Sequence, residues 1–246
     1  MSVVFKVEDQ VAYLTLSRPE VMNAIDHRVL DGIESGLRSA VQDPAVKVVV
    51  VSGAGDRAFC AGADLALVRS SRGAEKRRYI ERAYSVLEAI AAVPLPTIAA
   101  LHGYVLGGGL EMALACDLRI AQRRTTFGLP EVSLGSVPSF GAVQLLPRVV
   151  GHALASELLF TSKRFNAEEA LQMGLISRVV DGDVAAEAAL LAQTIAANSR
   201  EALRYAKIGL RGSAGPQLAS AFHGLLSDAL HASPEYEQNT RRFSKA

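Results

Sequence analysis

The pattern of hydrophobic and polar positions changes from strand-like to helix-like within the first fifty residues. Residues 3–8 and 11–17 are rich in β-branched side chains in partly alternating order, with Glu8-Asp9-Gln10 between them, which predicts a β-hairpin. Asp26 is then a favourable N-cap, and apolar residues recur behind it at helical spacing until Asp43-Pro44. The chain therefore begins with a hairpin and an amphipathic helix.

The remainder of the chain continues with strands and helices and then with helices almost alone. The predicted elements are, in order, a strand at 46–51, a Gly/Ala-rich loop at 52–63, a short helix capped by Asp64, a helix from about Glu75 to Val93, a strand at Thr97–Leu101, a helix from Gly107-Gly108-Gly109 to Ala115, and short strands at Leu118–Ala121 and Thr126-Phe127. From Ser139 onward the pattern is mostly helical, with one strand near Ser177–Val180. We predict an α/β core over 1–195 and a C-terminal helical region over 196–246.

Composition narrows the range of functions without choosing one. The 246 residues carry 26 basic and 25 acidic side chains, a net charge of +1, which argues against a nucleic-acid partner. The longest apolar stretch, Ala89–Leu101, contains two prolines and is too short to cross a bilayer, and the start of the chain does not resemble a signal peptide. The two cysteines form no disulfide framework. We therefore expect a cytoplasmic protein with no membrane partner.

Several familiar catalytic and cofactor motifs are absent or incomplete. Gly53-Ala-Gly55-Asp-Arg-Ala58 follows a strand and formally matches a dinucleotide-binding motif, but Gly62 interrupts the helix that should open there. The five histidines form no zinc-binding spacing with each other or with cysteine, and no nucleophile-elbow motif occurs. We expect neither a metal ion nor a separate cofactor.

Two acids and one basic segment are the candidates for chemistry. Glu111 lies in an otherwise apolar helix, where a carboxylate is either exposed, bonded to the helix start, or used in catalysis. Glu131 follows Phe127-Gly-Leu-Pro, where an exposed loop acid is the simpler interpretation. Residues 69–82 hold six basic and two acidic side chains, which fits a solvated helix face or a site for a phosphorylated ligand.

Five motifs in sequence resemble the enoyl-CoA hydratase/isomerase (crotonase) family over essentially the whole chain. They are Ser17-Arg-Pro-Glu-Val-Met-Asn-Ala24, Ala58-Phe-Cys-Ala-Gly-Ala-Asp-Leu65, His102-Gly-Tyr-Val-Leu-Gly-Gly-Gly-Leu-Glu111, Phe127-Gly-Leu-Pro-Glu131, and Ser162-Lys-Arg-Phe-Asn-Ala-Glu-Glu-Ala-Leu-Gln-Met-Gly-Leu-Ile176. The resemblance implies a crotonase-like spiral of β-β-α units, an acyl-CoA thioester substrate, and a homotrimer or a dimer of trimers in which the C-terminal helical region contributes to assembly.

The resemblance also implies roles for particular residues. The oxyanion hole falls on the backbone N–H groups of Ala63 and Gly108, where two preset donors would stabilise an enolate-like thioester oxygen. The residues expected along the coenzyme A and thioester path are Ala24, Ala61, Asp64 and Leu65, and those bordering the acyl pocket are Leu106 and Pro130. Hydratases of this family carry glutamates at the positions of Glu111 and Glu131, one to take a proton from water and one to deliver a proton to the α-carbon.

Hydration of a 2-enoyl-CoA to a 3-hydroxyacyl-CoA is thus the predicted reaction. The alternatives are double-bond isomerisation or a specialised acyl-CoA dehydration on the same scaffold, and, in another class, a catalytically silent subunit that binds acyl-CoA or associates with RNA. The presence of both glutamates argues against the silent subunit, and the net charge of +1 argues against RNA.

The chain departs from the family pattern after the second glutamate. Many hydratases read Pro-Gly-Ala-Gly-Gly-Thr there, whereas this chain reads Pro138-Ser-Phe-Gly-Ala-Val143. Ser139 replaces the glycine whose N–H helps to hold the attacking water in the family, and Phe140 adds bulk near the expected acyl pocket. Ala66 stands where many members have a lysine near the coenzyme A nucleotide, so we expect the basic segment to supply that charge.

Overall fold

The computed structural model describes residues 2–211, 224, 227 and 229–240 and contains two β-sheets with helices packed against them. The strands within these residues are β1 (Val3–Glu8), β2 (Val11–Leu16), β3 (Val48–Gly53), β4 (Ala58–Cys60), β5 (Thr97–Leu101), β6 (Tyr104–Leu106), β7 (Leu118–Gln122), β8 (Thr126–Gly128), β9 (Phe165–Asn166) and β10 (Arg178–Val180). The helices are α1 (His27–Gln42), α2 (Leu65–Ser70), α3 (Gly73–Ala92), α4 (Gly108–Ala115), α5 (Ala142–Val150), α6 (His152–Thr161), α7 (Ala167–Gln172), α8 (Val184–Ala196), α9 (Arg200–Arg211) and α10 (Pro234–Thr240).

From β3 to β8, successive strands go alternately to the two sheets. The larger sheet has the order β1-β2-β3-β5-β7-β10 and the smaller one β4-β6-β8-β9, so each pair β3–β4, β5–β6 and β7–β8 contributes one strand to each. The neighbours β3, β5 and β7 run parallel, as do β4, β6 and β8. Helices α2 and α3 follow the first pair, and α4 follows the second. This order confirms the predicted α/β spiral of β-β-α units.

The central strands β3 and β5 of the larger sheet are buried on both faces, and their sequence shows why. In β3, Val49 and Val51 point into the main core, whereas Val48 and Val50 pack in a second cluster beneath α8. A strand covered on both faces needs apolar side chains at successive positions, which explains the valine run. The main core lies on the side of the sheet that carries the smaller sheet, α1, α3 and α4.

The structure differs from the sequence expectations chiefly in its shortest elements. Strands β4 and β6 lie in segments predicted as loop or left unassigned, and both have only three residues. Such short strands are held by pairing within the smaller sheet, which local sequence does not report. The strand predicted at 46–51 is observed at Val48–Gly53, and β4 follows it. The helix that a dinucleotide-binding motif would require after β3 is therefore absent from this described segment.

The C-terminal helical region is anchored to the core by an ion pair between a buried lysine and a partly buried aspartate. Lys207 of α9 is 5% exposed, lies 2.7 Å from Asp117, and donates a hydrogen bond to the carbonyl of Leu95 at 2.8 Å. Burial lowers the pKa of Lys207, while Asp117 favours its charged form. Much of the predicted region 196–246 lies outside the described residues, and the domain boundary at residue 195 stays a prediction.

Candidate active site

The start of α4 carries the first of the two candidate acids. All eight residues of α4 are buried, and Glu111, in its first turn, is 1% exposed. Its Oε1 accepts hydrogen bonds from the backbone N–H groups of Phe140 at 2.8 Å and Ala142 at 2.9 Å. The carboxyl group is therefore bonded to the segment before α5, neither exposed nor bonded to its own helix start.

The environment of Glu111 favours its protonated form. Burial raises the pKa of this carboxyl to about 7, the nearby charge of Glu131 adds to the increase, and the backbone hydrogen bonds oppose it. A carboxyl with a pKa near 7 exchanges protons efficiently at neutral pH, which suits an acid or base in catalysis.

Glu131 is the second acid, and one of its oxygens has no partner. The residue precedes the short 3₁₀ helix Val132–Leu134 and is partly buried, and burial raises its pKa. Its Oε2 is buried and finds no hydrogen-bond partner among the described residues. A Cβ placed on Gly107 would lie 2.6 Å from Glu131 Oε1, so only glycine permits this approach to the start of α4. The simpler interpretation of an exposed loop acid is therefore wrong.

Two backbone N–H groups lie beside these acids. Ile25 pairs with the loop through Gly62 O and the N–H of Asp64, at 2.8 and 3.0 Å, which leaves the N–H of Ala63 outside the pairing. Gly108 is the first residue of α4, where a helix has no internal acceptor for the N–H. A Cβ on Gly62 would lie 3.3 Å from Gly108 N, which shows that the two segments are in close contact.

The acids and the N–H groups share one cavity of about 440 Å³. Seven of the twelve predicted site residues line it: Ala63, Leu65, Gly108, Glu111, Glu131, Ser139 and Phe140. The other five, Ala24, Ala61, Asp64, Leu106 and Pro130, are not among the lining residues. The structure thus gathers the acids, the predicted oxyanion-hole residues and the unusual Ser139-Phe140 pair in one place.

Asp64 has structural partners instead of a place on the cavity wall. Its Oδ1 accepts hydrogen bonds from the N–H groups of Ala66 and Leu67 and so caps α2, as predicted. Its Oδ2 lies 3.1 Å from the guanidinium of Arg18. A direct contact between Asp64 and coenzyme A stays a prediction.

Sequence reasoning missed part of the cavity wall. Tyr79 and Ile80 of α3 line it, together with Leu134 and Val137 from the segment after Glu131. The apolar stripe of α3 was visible in the sequence, but its spacing does not say which part faces a cavity. Arg69 and Lys76 also line the wall, and both belong to the basic segment that the sequence singled out.

The basic segment is divided between two roles. Arg82 pairs with two acids of α1, Asp31 at 2.6 Å and Glu34 at 3.0 Å, so it is partly neutralised. Arg77 and Arg78 are exposed and form no ion pair among the described residues. The positive charge available to a ligand is therefore smaller than the number of basic residues in this segment indicates.

The described part of the chain offers neither a cluster of metal-binding side chains nor a membrane-spanning helix. It contains no group of three or more His, Cys, Asp or Glu side chains that could hold a metal ion. It also contains no helix that is long and apolar enough to span a membrane.

Known proteins match this chain over most of its length. Residues 6–238 match the family model described as enoyl-CoA hydratase/isomerase. The chain is 40% identical over 179 residues to a crotonyl-CoA hydratase of Syntrophomonas wolfei, covering 73% of this chain and 69% of that protein. It is 35% identical over 207 residues to a short-chain-enoyl-CoA hydratase of Clostridium acetobutylicum, covering 84% and 79%.

A solved structure agrees with this assignment. The enoyl-CoA hydratase of Bacillus anthracis superposes with a TM-score of 0.96 at 29% identity, covering 100% of this chain and 96% of that one. The sequence match and the shared fold lead to the same conclusion. This chain belongs to the enoyl-CoA hydratase/isomerase family.

Proposed function

We propose that this protein is an enoyl-CoA hydratase that adds water reversibly across the double bond of a 2-enoyl-CoA to give a 3-hydroxyacyl-CoA. The observation that carries the proposal is the convergence of two carboxyl groups with raised pKa values on a cavity that also contains two backbone donors. Isomerisation needs only one well-placed base, so a second buried acid favours hydration. No separate cofactor enters the reaction, since coenzyme A is part of the substrate.

The proposed mechanism assigns one task to each group. The thioester oxygen accepts hydrogen bonds from the N–H groups of Ala63 and Gly108, which stabilise the negative charge as the C–O bond forms. Each such donor typically lowers the barrier by about 3–4 kcal/mol. Ionised Glu111 takes a proton from water as the oxygen attacks the β-carbon, and protonated Glu131 delivers a proton to the α-carbon. Both acids line one cavity, which fits addition of the hydroxyl group and the proton to the same face of the double bond.

Ser139 completes the proposed arrangement. It lines the cavity next to Phe140, whose N–H holds Glu111. The glycine at this position in many relatives has been replaced, yet serine retains the backbone N–H. We propose that this N–H helps to position the attacking water.

The relatives and the surface suggest the substrate and the assembly. The similar proteins named for crotonyl-CoA and short-chain enoyl-CoA support a short acyl substrate for this chain. Leu134, Val137 and Phe160 are 68%, 61% and 75% exposed, which supports burial of this apolar surface in a homotrimer or a dimer of trimers. Light scattering of the purified protein would test that assembly. Cys60 and Cys116 are buried free thiols, consistent with a reducing compartment, and the cytoplasm remains our expected location.

The direct test compares Glu111→Gln and Glu131→Gln with the wild type on crotonyl-CoA. Loss of absorbance of the conjugated thioester reports hydration, and loss of a general acid or base should lower kcat by about a hundredfold to ten-thousandfold. Glu157→Gln, which changes an exposed glutamate of α6, is the matched control and should retain wild-type activity.

The same variants separate the competing functions. Undiminished hydration by Glu111→Gln would contradict the mechanism. A wild type that moves the double bond of a 3-enoyl-CoA faster than it hydrates crotonyl-CoA would identify an isomerase instead. Binding of acyl-CoA without turnover across a broad panel would identify a silent subunit.

A further inference from the structure

A second cavity of about 540 Å³ lies next to the catalytic cavity. Its walls come from α3, α5 and the end of α9, and they include the apolar side chains Leu87, Ala91, Ala92, Leu145 and Leu210. Polar groups such as Glu88 and Arg148 also line it. The lining is mixed, and its apolar side chains provide a surface against which an aliphatic chain can pack.

Phe140 is the one residue, among those that the structure describes, that lines both cavities. Helix α3 also passes along both: Ile80 faces the catalytic cavity and Leu87 the second one. These two residues are about 10 Å apart along the helix axis, from a rise of about 1.5 Å per residue. Phe140 therefore lies at the junction of the two neighbouring cavities.

The ring of Phe140 is held firmly beside the reacting groups. Its edge meets the ring of Tyr79 at a centroid distance of 5.8 Å, and Tyr79 is fixed by a 2.8 Å hydrogen bond to the carbonyl of Ile25. A Cβ placed on Gly108 would lie 2.8 Å from the Phe140 ring, so the ring packs directly against the start of α4. The backbone N–H of Phe140 binds Glu111, so the main chain at this position serves the acid, while the ring packs against Tyr79 and Gly108.

We propose that Phe140 sets the acyl-chain length accepted by this protein, because its ring closes the acyl pocket short of the second cavity. The inference rests on the proposed hydratase function and deepens it: the substrates are short 2-enoyl-CoA thioesters. Removal of the ring joins the two cavities and lets a longer chain enter the second one. Each methylene buried there increases kcat/KM about fourfold, the factor that corresponds to about 0.8 kcal/mol per CH₂.

The test measures kcat/KM for 2-enoyl-CoA thioesters of four, eight and twelve carbons with the wild type and Phe140→Ala. Alanine keeps the backbone N–H that binds Glu111, so the substitution removes the ring and retains that hydrogen bond. We expect the wild type to favour four carbons and Phe140→Ala to raise the ratio of eight-carbon to four-carbon kcat/KM at least tenfold. Val143→Ala, which trims an exposed apolar residue in the same segment, should leave the ratio unchanged.

A second substitution identifies the space that the longer chain enters. Ala91→Phe in the Phe140→Ala background places a ring in the second cavity, and it should remove the gain for eight and twelve carbons. Phe140→Leu, a smaller change, should shift the ratio at least threefold, and it decides the question should Phe140→Ala fail to fold. Calorimetric titration with butyryl-CoA and decanoyl-CoA should show the same change in preference for binding.

The outcomes distinguish this inference from the function on which it rests. A wild type that hydrates crotonyl-CoA while its Phe140 variants keep the wild-type length ratio would overturn the inference and leave the proposed function intact. A gain that persists in the double variant would also overturn it, because the chain would then lie elsewhere. A wild type that hydrates none of the three thioesters would overturn both.

Discussion

Burial of Glu111 makes the stability of the protein depend on pH, and the Glu111→Gln variant isolates that dependence. The pKa of this carboxyl is about 7 in the folded protein, against an ordinary value of 4.5. Between these values the folded state keeps the proton and the unfolded state releases it. The free energy of unfolding therefore falls as the pH rises from about 4.5 to 7, and it is insensitive to Glu111 outside that window.

The size of the effect follows from the two pKa values. Each pH unit inside the window changes the free energy of unfolding by about 1.4 kcal/mol. Between pH 5 and pH 8 the total is about 2.5 kcal/mol, because the unfolded carboxyl is already about three-quarters ionised at pH 5. Glutamine cannot ionise, but its Oε1 can accept the same two hydrogen bonds from Phe140 and Ala142. The difference in free energy of unfolding, variant minus wild type, should therefore increase by about 2.5 kcal/mol between pH 5 and pH 8.

Urea unfolding at pH 5 and pH 8, followed by circular dichroism, measures this change. Comparing two proteins at each pH cancels the groups that titrate in both and do not interact with Glu111, and a fixed protein concentration keeps the contribution of assembly comparable. Glu157→Gln changes an exposed glutamate and should track the wild type at both pH values. If the difference in free energy of unfolding between the wild type and Glu111→Gln is the same at pH 5 and pH 8 within about 0.5 kcal/mol, the pKa of Glu111 is not raised.

Three further variants test the oxyanion hole, the basic segment and the anchor of α9. Gly108→Ala brings a Cβ within 2.8 Å of the Phe140 ring. The variant should lower kcat on crotonyl-CoA about a hundredfold, while its circular dichroism spectrum stays that of the wild type. The double variant Arg77→Glu/Arg78→Glu should raise the KM for acyl-CoA severalfold, because the new carboxylates repel the phosphates of coenzyme A. Arg124→Glu, at another exposed arginine, is the control. An unchanged KM in the double variant would reject a role of the basic segment in binding coenzyme A. Lys207→Met removes the nearer of the two cations beside the partly buried Asp117, since Arg211 stays at 3.4 Å, and also the hydrogen bond to Leu95 O; it should lower the free energy of unfolding in urea by roughly 1–3 kcal/mol.

Elements with a strong periodicity of hydrophobic residues were predictable from the sequence. The hairpin of β1 and β2 and the helix α1 behind its Asp26 cap match the expected positions within a few residues, because propensity, capping and burial favour the same structure. Strands β4 and β6 were not predicted because three residues carry little signal, and parallel pairing in the smaller sheet stabilises them. Their ends nevertheless determine where the site lies, since β6 leads directly into α4.

The two acids illustrate different limits of sequence reasoning. Glu111 was conspicuous because a carboxylate among apolar helix residues needs a partner, and the structure supplies two N–H groups from a distant segment. Glu131 was a candidate whose local sequence favoured an exposed loop acid, and only the family resemblance gave it a catalytic role. Its burial depends on the start of α4 and on Gly107, which are brought to it by tertiary packing. Local sequence cannot report contacts between segments that meet only in the folded chain.

The position of Asp64 shows how such contacts preorganise the site. Asp64 follows Ala63, caps α2, and pairs with Arg18, which also donates a hydrogen bond to Ala24 O at 2.8 Å and lies 3.3 Å from Asp26. This partly buried cluster ties the loop before α2 to the segment before α1, so the N–H of Ala63 keeps its direction. A donor that is already oriented needs no reorganisation as charge develops on the thioester oxygen. In the proposed mechanism, Asp64 contributes by positioning the N–H of its neighbour, a role that does not require its own side chain to line the cavity.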